Sequence, residues 1–296
     1  MFYTKLSNFM EHITLSGLLN HVSRSLSGSF NENELHTIKK YIAEAVLHVP
    51  YHQVFINKHH EVKHEDAQEV ERIISELISG KPLQYAIGLA YFSDLVLKVT
   101  PSVLIPRPET EELVSLIVKE NRIVAPRILD VGTGSGCIAL ALAKHIPDAS
   151  VAAIDISTDA LDVARQNAKS NNLNVNFFQG DILQPTVLDG YTFDIIVSNP
   201  PYIRDSEKVL MNRNVLDFEP HIALFVPDSD PLKFYRAIAL HSVRRLETMG
   251  WLWFEINEAL GSEIVSLLKS LGFGNVLLID DFRGKPRFVK AQKCNP

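Results

Sequence analysis

The stretch ILDVGTGSGCIALALA, residues 128–143, decides the fold. An apolar run, Ile128–Val131, feeds three glycines in five residues, Gly132, Gly134 and Gly136, and an apolar helical run starts at Cys137. Glycine lets a chain turn tightly and lets a ligand approach backbone with no Cβ in the way. Three in five exceeds what a bare strand-to-helix turn requires.

Outward from this loop, strand-like and helix-like segments alternate. The strands are read as Arg127–Val131, Ser150–Asp155, Asn174–Gln179, Phe193–Ser198, Gly250–Ile256, Gly274–Ile279 and Pro286–Gln292. The helices are Cys137–His145, Thr158–Asn171, Leu232–Thr248 and Ser262–Leu271. Such alternation predicts an α/β fold, a seven-strand, mostly parallel Rossmann-like sheet with helices on both faces. The last two strands are separated only by Asp280–Lys285, too short for a parallel crossover, so one strand there runs antiparallel.

The region ahead of the sheet reads differently. Asn31 caps a run with Leu35, Ile38, Ile42, Ala45 and Val46 at helical spacing, and a second helix spans about His64–Ile78. From residue 83 to 105 the apolar period changes to two, through Tyr91, Leu95, Leu97, Val99, Val103 and Ile105. Turns at Ser93-Asp94 and Thr100-Pro101 make this a hairpin-like linker. The polar segment Pro106–Glu112 and a helical run Leu113–Lys119 follow. The expected organisation is a small all-helical domain over 1–80, a β-hairpin linker over 81–106 and an α/β domain over 107–296. Such a division suits a chain of 296 residues.

Composition narrows the class. The chain is 46% hydrophobic with formal net charge −6. The charge is spread evenly, −3 over residues 1–80 and −3 over the remainder. No basic arm suited to gripping nucleic acid is present, so direct nucleic-acid binding is not expected. No apolar run reaches the ~18 residues a membrane span needs. Residues 1–16 lack the apolar core of a secretory leader, so a cytoplasmic protein is expected. Cys137 and Cys294 are too few for a disulfide framework, and Cys137 reads as packing. Eight of the eleven histidines lie between His12 and His64. His59, His60 and His64 sit among Glu61, Lys63, Glu65 and Asp66, which reads as a solvated face; no metal site is expected.

The ligand follows by elimination. A dinucleotide loop needs G-x-G-x-x-G, and here Cys137 occupies the last position; a P-loop needs a lysine that is absent. Asp155 ends the next strand, where a carboxylate can accept from both hydroxyls of a ribose. Glycine turn and ribose acid without a phosphate cradle suit a nucleoside that carries no phosphate, of which S-adenosyl-L-methionine is the common one. Asp181 and Ile182 follow the third strand on the same edge, where an acid can take an adenine amino group and an apolar side chain can cover the ring. After the fourth strand comes Asn199-Pro200-Pro201-Tyr202. Prolines stiffen this loop. The Asn199 side chain and the Pro200 carbonyl can hold a planar –NH₂ by both hydrogens, and Tyr202 can pack on the group bearing it. That is a site for methylating a nitrogen on a planar group.

The glycine loop paired with Asn199–Tyr202 resembles the class I S-adenosylmethionine-dependent methyltransferases. Further stretches narrow the resemblance: Pro82-Leu-Gln-Tyr-Ala-Ile-Gly88, Val103–Glu111, Asn199–Ile203, and Asp217-Phe-Glu-Pro220 with Ala223-Leu224. With these the chain resembles the bacterial peptide chain release factor glutamine methyltransferases over nearly its whole length. The resemblance implies methylation of the side-chain amide of the glutamine in a Gly-Gly-Gln motif by direct transfer from the sulfonium. It places Gly132, Thr133, Gly134, Ser135, Gly136, Asp155, Asp181, Ile182 and Asn199 at the cofactor, with Phe92 and Arg107 nearby. It places Asn199, Pro200, Pro201 and Tyr202 at the substrate, with Asn199, Pro200 and Tyr202 as the catalytic set. It implies that the helical domain helps recognise the release factor, and a monomer is the expectation. The alternatives are a ribosomal-protein glutamine methyltransferase, an adenine-N6 nucleic-acid methyltransferase or a noncatalytic cofactor-binding protein.

Overall fold

The computed structural model describes residues 13–294; the N-terminal stretch read for a leader lies, up to His12, outside the described residues. The chain forms two compact units. One runs through Leu89 and includes Arg213–Phe218; the other comprises Ala90–Asn212 and the chain from Glu219 on.

The first unit is helical: α1 (Leu15–Leu26), α2 (Glu32–Tyr41), α3 (His64–Ile78) and α4 (Leu83–Ile87). Asn31 accepts from the backbone of Asn33 and Glu34 while Glu34 accepts from the Asn31 N–H, so both orphan ends at the start of α2 are met. After Tyr41 the helix widens into a single π-turn, Ile42–Val46, closed by Leu47 N–H donating to the Ile42 carbonyl. Leu18, Val22, Leu26, Ile42, Val70 and Ile73 are fully buried in one core. Each contributes about 1.5–3 kcal/mol by leaving water. His59, His60 and His64 are exposed, and His64 meets the side chain of Gln68.

A two-stranded hairpin follows, β1 (Leu89–Phe92) and β2 (Leu95–Lys98), which belongs to the second unit from Ala90 on. Ser93 and Asp94 both take positive φ, +47° and +60°, as a two-residue type I′ turn requires. A turn follows at Thr100, whose carbonyl accepts from Val103. Val103 and Ile105 do not extend a strand; they are buried as single side chains. Then come α5 (Pro108–Glu120), β3 (Arg127–Val131), α6 (Cys137–His145), β4 (Ser150–Asp155), α7 (Thr158–Ser170), β5 (Asn176–Gln179), β6 (Phe193–Ser198) and β7 (Ile203–Arg204). α8 (Arg213–Phe218), β8 (Phe225–Val226), α9 (Lys233–Arg245), β9 (Leu246–Glu255), α10 (Gly261–Ser270), β10 (Phe273–Asp280) and β11 (Pro286–Lys293) complete the chain.

Several boundaries depart from the reading of the sequence: β5 begins at Asn176 and not Asn174, β9 begins at Leu246 and not Gly250, and residues 83–87 form α4 where the hairpin linker is expected. α5 begins at Pro108, five residues before the expected start, because proline suits the first helical position and Glu109 and Glu111 favour the first turn. α9 stops at Arg245, because Leu246 is taken into the sheet opposite Phe193.

The large sheet has the order β10-β11-β9-β6-β3-β4-β5, and β11 alone runs antiparallel to its neighbours. Alternate residues feed opposite faces. Ile128, Ile195, Val197 and Trp253 meet α5 and α6 on one side. Leu129, Ile196, Leu252 and Phe254 meet α9 and α10 on the other. The chain leaves β3 toward β4 and β5, then crosses back to β6 on the opposite flank of β3. That reversal opens a crevice beyond the carboxyl ends of β3 and β6, where open α/β sheets bind ligands.

Candidate active site

The loop after β3 is held from below. Asp130 is fully buried; its Oδ2 accepts from the Thr133 hydroxyl at 2.6 Å and from the Ala139 N–H at 3.2 Å. Its Oδ1 has no hydrogen-bond partner among the described residues. Burial pushes this carboxyl up to about 7, against the two hydrogen bonds that favour the charge. Gly132 and Gly134 sit at φ +72° and +55°, and a Cβ at either would project into open space. Gly136 serves a different end. A Cβ there would come within 3.2 Å of Ala164 and Leu140, so this glycine lets α6 pack against α7 and lies outside the cavity wall.

Above the loop lies a cavity of about 330 Å³, within the usual range of ~300–1,000 Å³ for small-molecule sites. Gly132, Thr133, Gly134 and Ser135 form its floor. Asp155 and, after β5, Asp181 and Ile182 form one side; Arg107, Asn199, Pro200 and Pro201 form another. Ser157 caps α7, which leaves Asp155 free of that task. Its Oδ2 instead accepts from Gly134 N–H at 2.8 Å and its Oδ1 from Ser157 N–H at 2.9 Å. Each oxygen keeps a further lone pair, enough for a vicinal diol. Burial raises its pKa while the backbone donors oppose that rise. Arg107 is held by an ion pair with Glu219, a buried member of the Asp217–Pro220 stretch.

Phe92 corrects an expectation. It is 2% exposed and belongs to the core beneath α5 and α6, not to the cavity wall. The sequence carries the apolar period through Tyr91, but on β1 it is Ala90 and Phe92 that face inward, and Tyr91 is exposed. Cys137 touches the cavity, but burial pushes its thiol up to about 12, so it is inert packing.

At the end of β6 the Asn199 side-chain amide donates through Nδ2 to Thr110 Oγ1 at 3.1 Å. That hydroxyl donates to Glu255 Oε2 at 2.7 Å. Tyr202, expected to pack on the substrate, is also outside the cavity wall; its hydroxyl donates to Glu255 Oε1 at 3.3 Å. Glu255 is 1% exposed, and burial pushes its carboxyl up to about 7, opposed by Thr110, Arg287 and Tyr202. Burial and Glu255 together hold the Tyr202 phenol well above its ordinary pKa, so it stays a neutral donor. Thr110 and Glu255 escaped the sequence reading. The signal was there: a lone acid inside Trp251–Ile256, an otherwise apolar strand, has to find partners when buried.

Comparison with known proteins shows what the chain is similar to over most of its length. A family model described as the methyltransferase small domain matches residues 109–216, and one described as the PrmC N-terminal domain matches 17–88. The release factor glutamine methyltransferase of Bacteroides thetaiotaomicron is 42% identical over 273 residues, covering 92% of this chain and 98% of that protein. The chain belongs to the release factor glutamine methyltransferase family. The member from Flavobacterium psychrophilum is 43% identical, covering 90% of this chain and 95% of its own length. Among solved structures, a methyltransferase from Pyrococcus furiosus superimposes with a TM-score of 0.52 at 20% identity, covering 75% of this chain and 98% of that one. That likeness is one of fold. Among the described residues no group of three or more His, Cys, Asp or Glu side chains can hold a metal ion. No helix among them is long and apolar enough to cross a membrane.

Proposed function

We propose that this chain uses S-adenosyl-L-methionine to methylate the side-chain amide nitrogen of the glutamine in the Gly-Gly-Gln motif of peptide chain release factors. One observation carries the reading. Asn199 and Pro200 form a wall of the same cavity whose floor is the glycine loop, and Asn199 commits its Nδ2 to Thr110, which also lines the cavity, leaving Oδ1 as an acceptor.

The residues fit the cofactor by their chemistry. Asp155 has lone pairs for the ribose hydroxyls, Asp181 can take the adenine amino group, and Ile182 can cover the ring. Gly132 to Ser135 give a floor on which no side chain stands between backbone and ligand at the two glycines. Bound there, S-adenosyl-L-methionine supplies an electrophilic methyl on a sulfonium. An amide nitrogen is a weak nucleophile because its lone pair is delocalised. Asn199 Oδ1 and the Pro200 carbonyl would take its two N–H groups and favour positive charge gathering on nitrogen, which would then release one of those protons to water to leave the neutral methylamide. Pro200 and Pro201 keep the acceptors in place. The first unit would contribute to docking the release factor, in the cytoplasm.

Transfer of labelled methyl from S-adenosylmethionine tests this. The acceptors are a full-length release factor, its Gly-Gly-Gln Gln→Ala variant, a ribosomal protein pool and duplex DNA. Label on the release factor that vanishes in the variant is expected. Label only on ribosomal protein or DNA would overturn the substrate assignment.

A further inference from the structure

We propose that Glu255 and Thr110 form a positioning relay that fixes which end of the Asn199 side-chain amide faces the acceptor nitrogen, an inference that rests on the methyl-transfer reading above. An asparagine amide has nearly the same shape whether its oxygen or its nitrogen points into a site, so packing alone does not choose. Hydrogen-bond polarity chooses here. An ionised Glu255 only accepts. Tyr202 donates to its Oε1, and Thr110 donates to its Oε2. The Thr110 hydroxyl has a single hydrogen and has spent it on Glu255. Toward Asn199 it has only lone pairs to offer, so Asn199 must present Nδ2, at 3.1 Å. Oδ1 is thereby turned away from Thr110 and free to accept from an –NH₂. The opposite orientation would set a donor against the substrate's donors and leave Thr110 facing an oxygen with no hydrogen to give.

Among the described residues, Thr110 and Tyr202 are the side chains hydrogen-bonded to the Glu255 carboxylate. Tyr235 on α9 donates to the Glu255 backbone carbonyl at 3.2 Å and not to its side chain. The charged groups acting on Glu255 are Arg287 on β11, which favours ionisation, and Glu109 on α5, which opposes it; the titratable groups that feel its charge are the Tyr202 and Tyr235 phenols and the Cys137 thiol on α6. Protonation would let Glu255 donate to Thr110, whose hydrogen could then swing to Asn199 and invert the amide. Burial sets that transition near neutrality, at about 7. Glu255, outside the cavity wall, thus acts through Thr110 and Asn199, and Thr110, which lines the cavity, is assigned its effect through Asn199.

The test is steady-state methylation of a full-length release factor by the full chain and its Thr110→Val, Thr110→Ser and Glu255→Gln variants, with S-adenosylmethionine affinity measured by calorimetry. Thr110→Val keeps the shape and removes the hydroxyl. It should lower kcat about 10–100-fold while the affinity for S-adenosylmethionine stays within about twofold, and Thr110→Ser should recover most of the loss. Wild-type kcat should rise with pH through a limb near 7. Glu255→Gln can still accept from Thr110 but does not titrate, so it should lower the plateau and remove that limb. A merely structural role would instead lower cofactor affinity together with kcat and leave the limb in place. Wild-type kcat in Thr110→Val, failure of Thr110→Ser to recover, or an unchanged limb in Glu255→Gln overturns the relay while the substrate assignment stands. No transfer by the wild-type chain overturns the substrate assignment and the relay with it.

Discussion

Two buried carboxylates in this molecule have nearly the same local chemistry and different uses. Asp130 accepts from Thr133 at 2.6 Å, and Glu255 accepts from Thr110 at 2.7 Å. Burial pushes both acids up to about 7. The first pair is separated by three residues and the second by 145. Asp130 pins a loop that its own neighbours build; Glu255 reaches a side chain delivered by two other segments. A short-range pair makes a part rigid, whereas a long-range pair sets one part's orientation against another. Removing the first should therefore show in stability, and disturbing the second in turnover.

The largest expected effect lies at the end of the long-range network. Asn199→Ala should lower kcat about 10²–10³-fold, the usual cost of one pre-placed hydrogen-bond partner of the reacting group, with S-adenosylmethionine affinity nearly unchanged by calorimetry. Equal losses in both would erase the distinction between an acceptor corner and a cofactor floor. On the other side of the cavity, Asp155→Ala should weaken S-adenosylmethionine binding about 10–100-fold, since bonds to a charged acceptor contribute ~1.5–3 kcal/mol. A change of kcat without a change of affinity would move Asp155 out of the cofactor's reach.

Thr133→Val is the local counterpart of Thr110→Val. It strips a donor from buried Asp130 and should cost about 1–3 kcal/mol of stability, read as a lower midpoint in thermal denaturation. A Thr133→Val protein as stable as wild type would break the comparison. The two acids also tilt the stability curve. Each folded carboxyl holds its proton up to about 7, whereas an unfolded one releases it near ~4. Between these values the folded state binds more protons, so stability should fall as pH rises from about 4 to 7. Asp130→Asn should flatten that slope in urea titrations at a series of pH values. A slope of the opposite sign would mean that the acids are ionised in the fold.

The smallest effect is placed outside both networks. Asp94 occupies the left-handed region at φ +60° in the hairpin turn, where glycine is at ease. Asp94→Gly should stabilise by up to about 1 kcal/mol, a rise of ~2–4 °C for a unit of this size, with no change in kcat. A loss of activity would tie the hairpin to the site.

Much of this molecule was legible because it is written locally. β3, β4, β6 and α6 begin and end at the residues their apolar runs mark, and α3 matches its stripe from His64 to Ile78. Gly132, Gly134 and Gly136 announced a tight strand-to-helix turn, and all three take positive φ there. Asn31 announced a cap and makes one. Such features depend on a residue's own backbone and its neighbours three or four places away, so a linear text contains them. α5 was misjudged at its start because Pro106–Glu112 looks polar, although proline and acids are what a first helical turn prefers.

What only the tertiary structure decided is pairing between distant segments. The sheet order seats β9 beside β6 in a register that sets Phe254 opposite Ser198. Glu255 and Asn199 are the next residues along the chain from that pair, and Thr110 of α5 is hydrogen-bonded to both. Nothing within a few residues of Glu255 specifies those partners. They are chosen by burial, which strips water from a carboxylate and leaves it only the donors that the fold brings near.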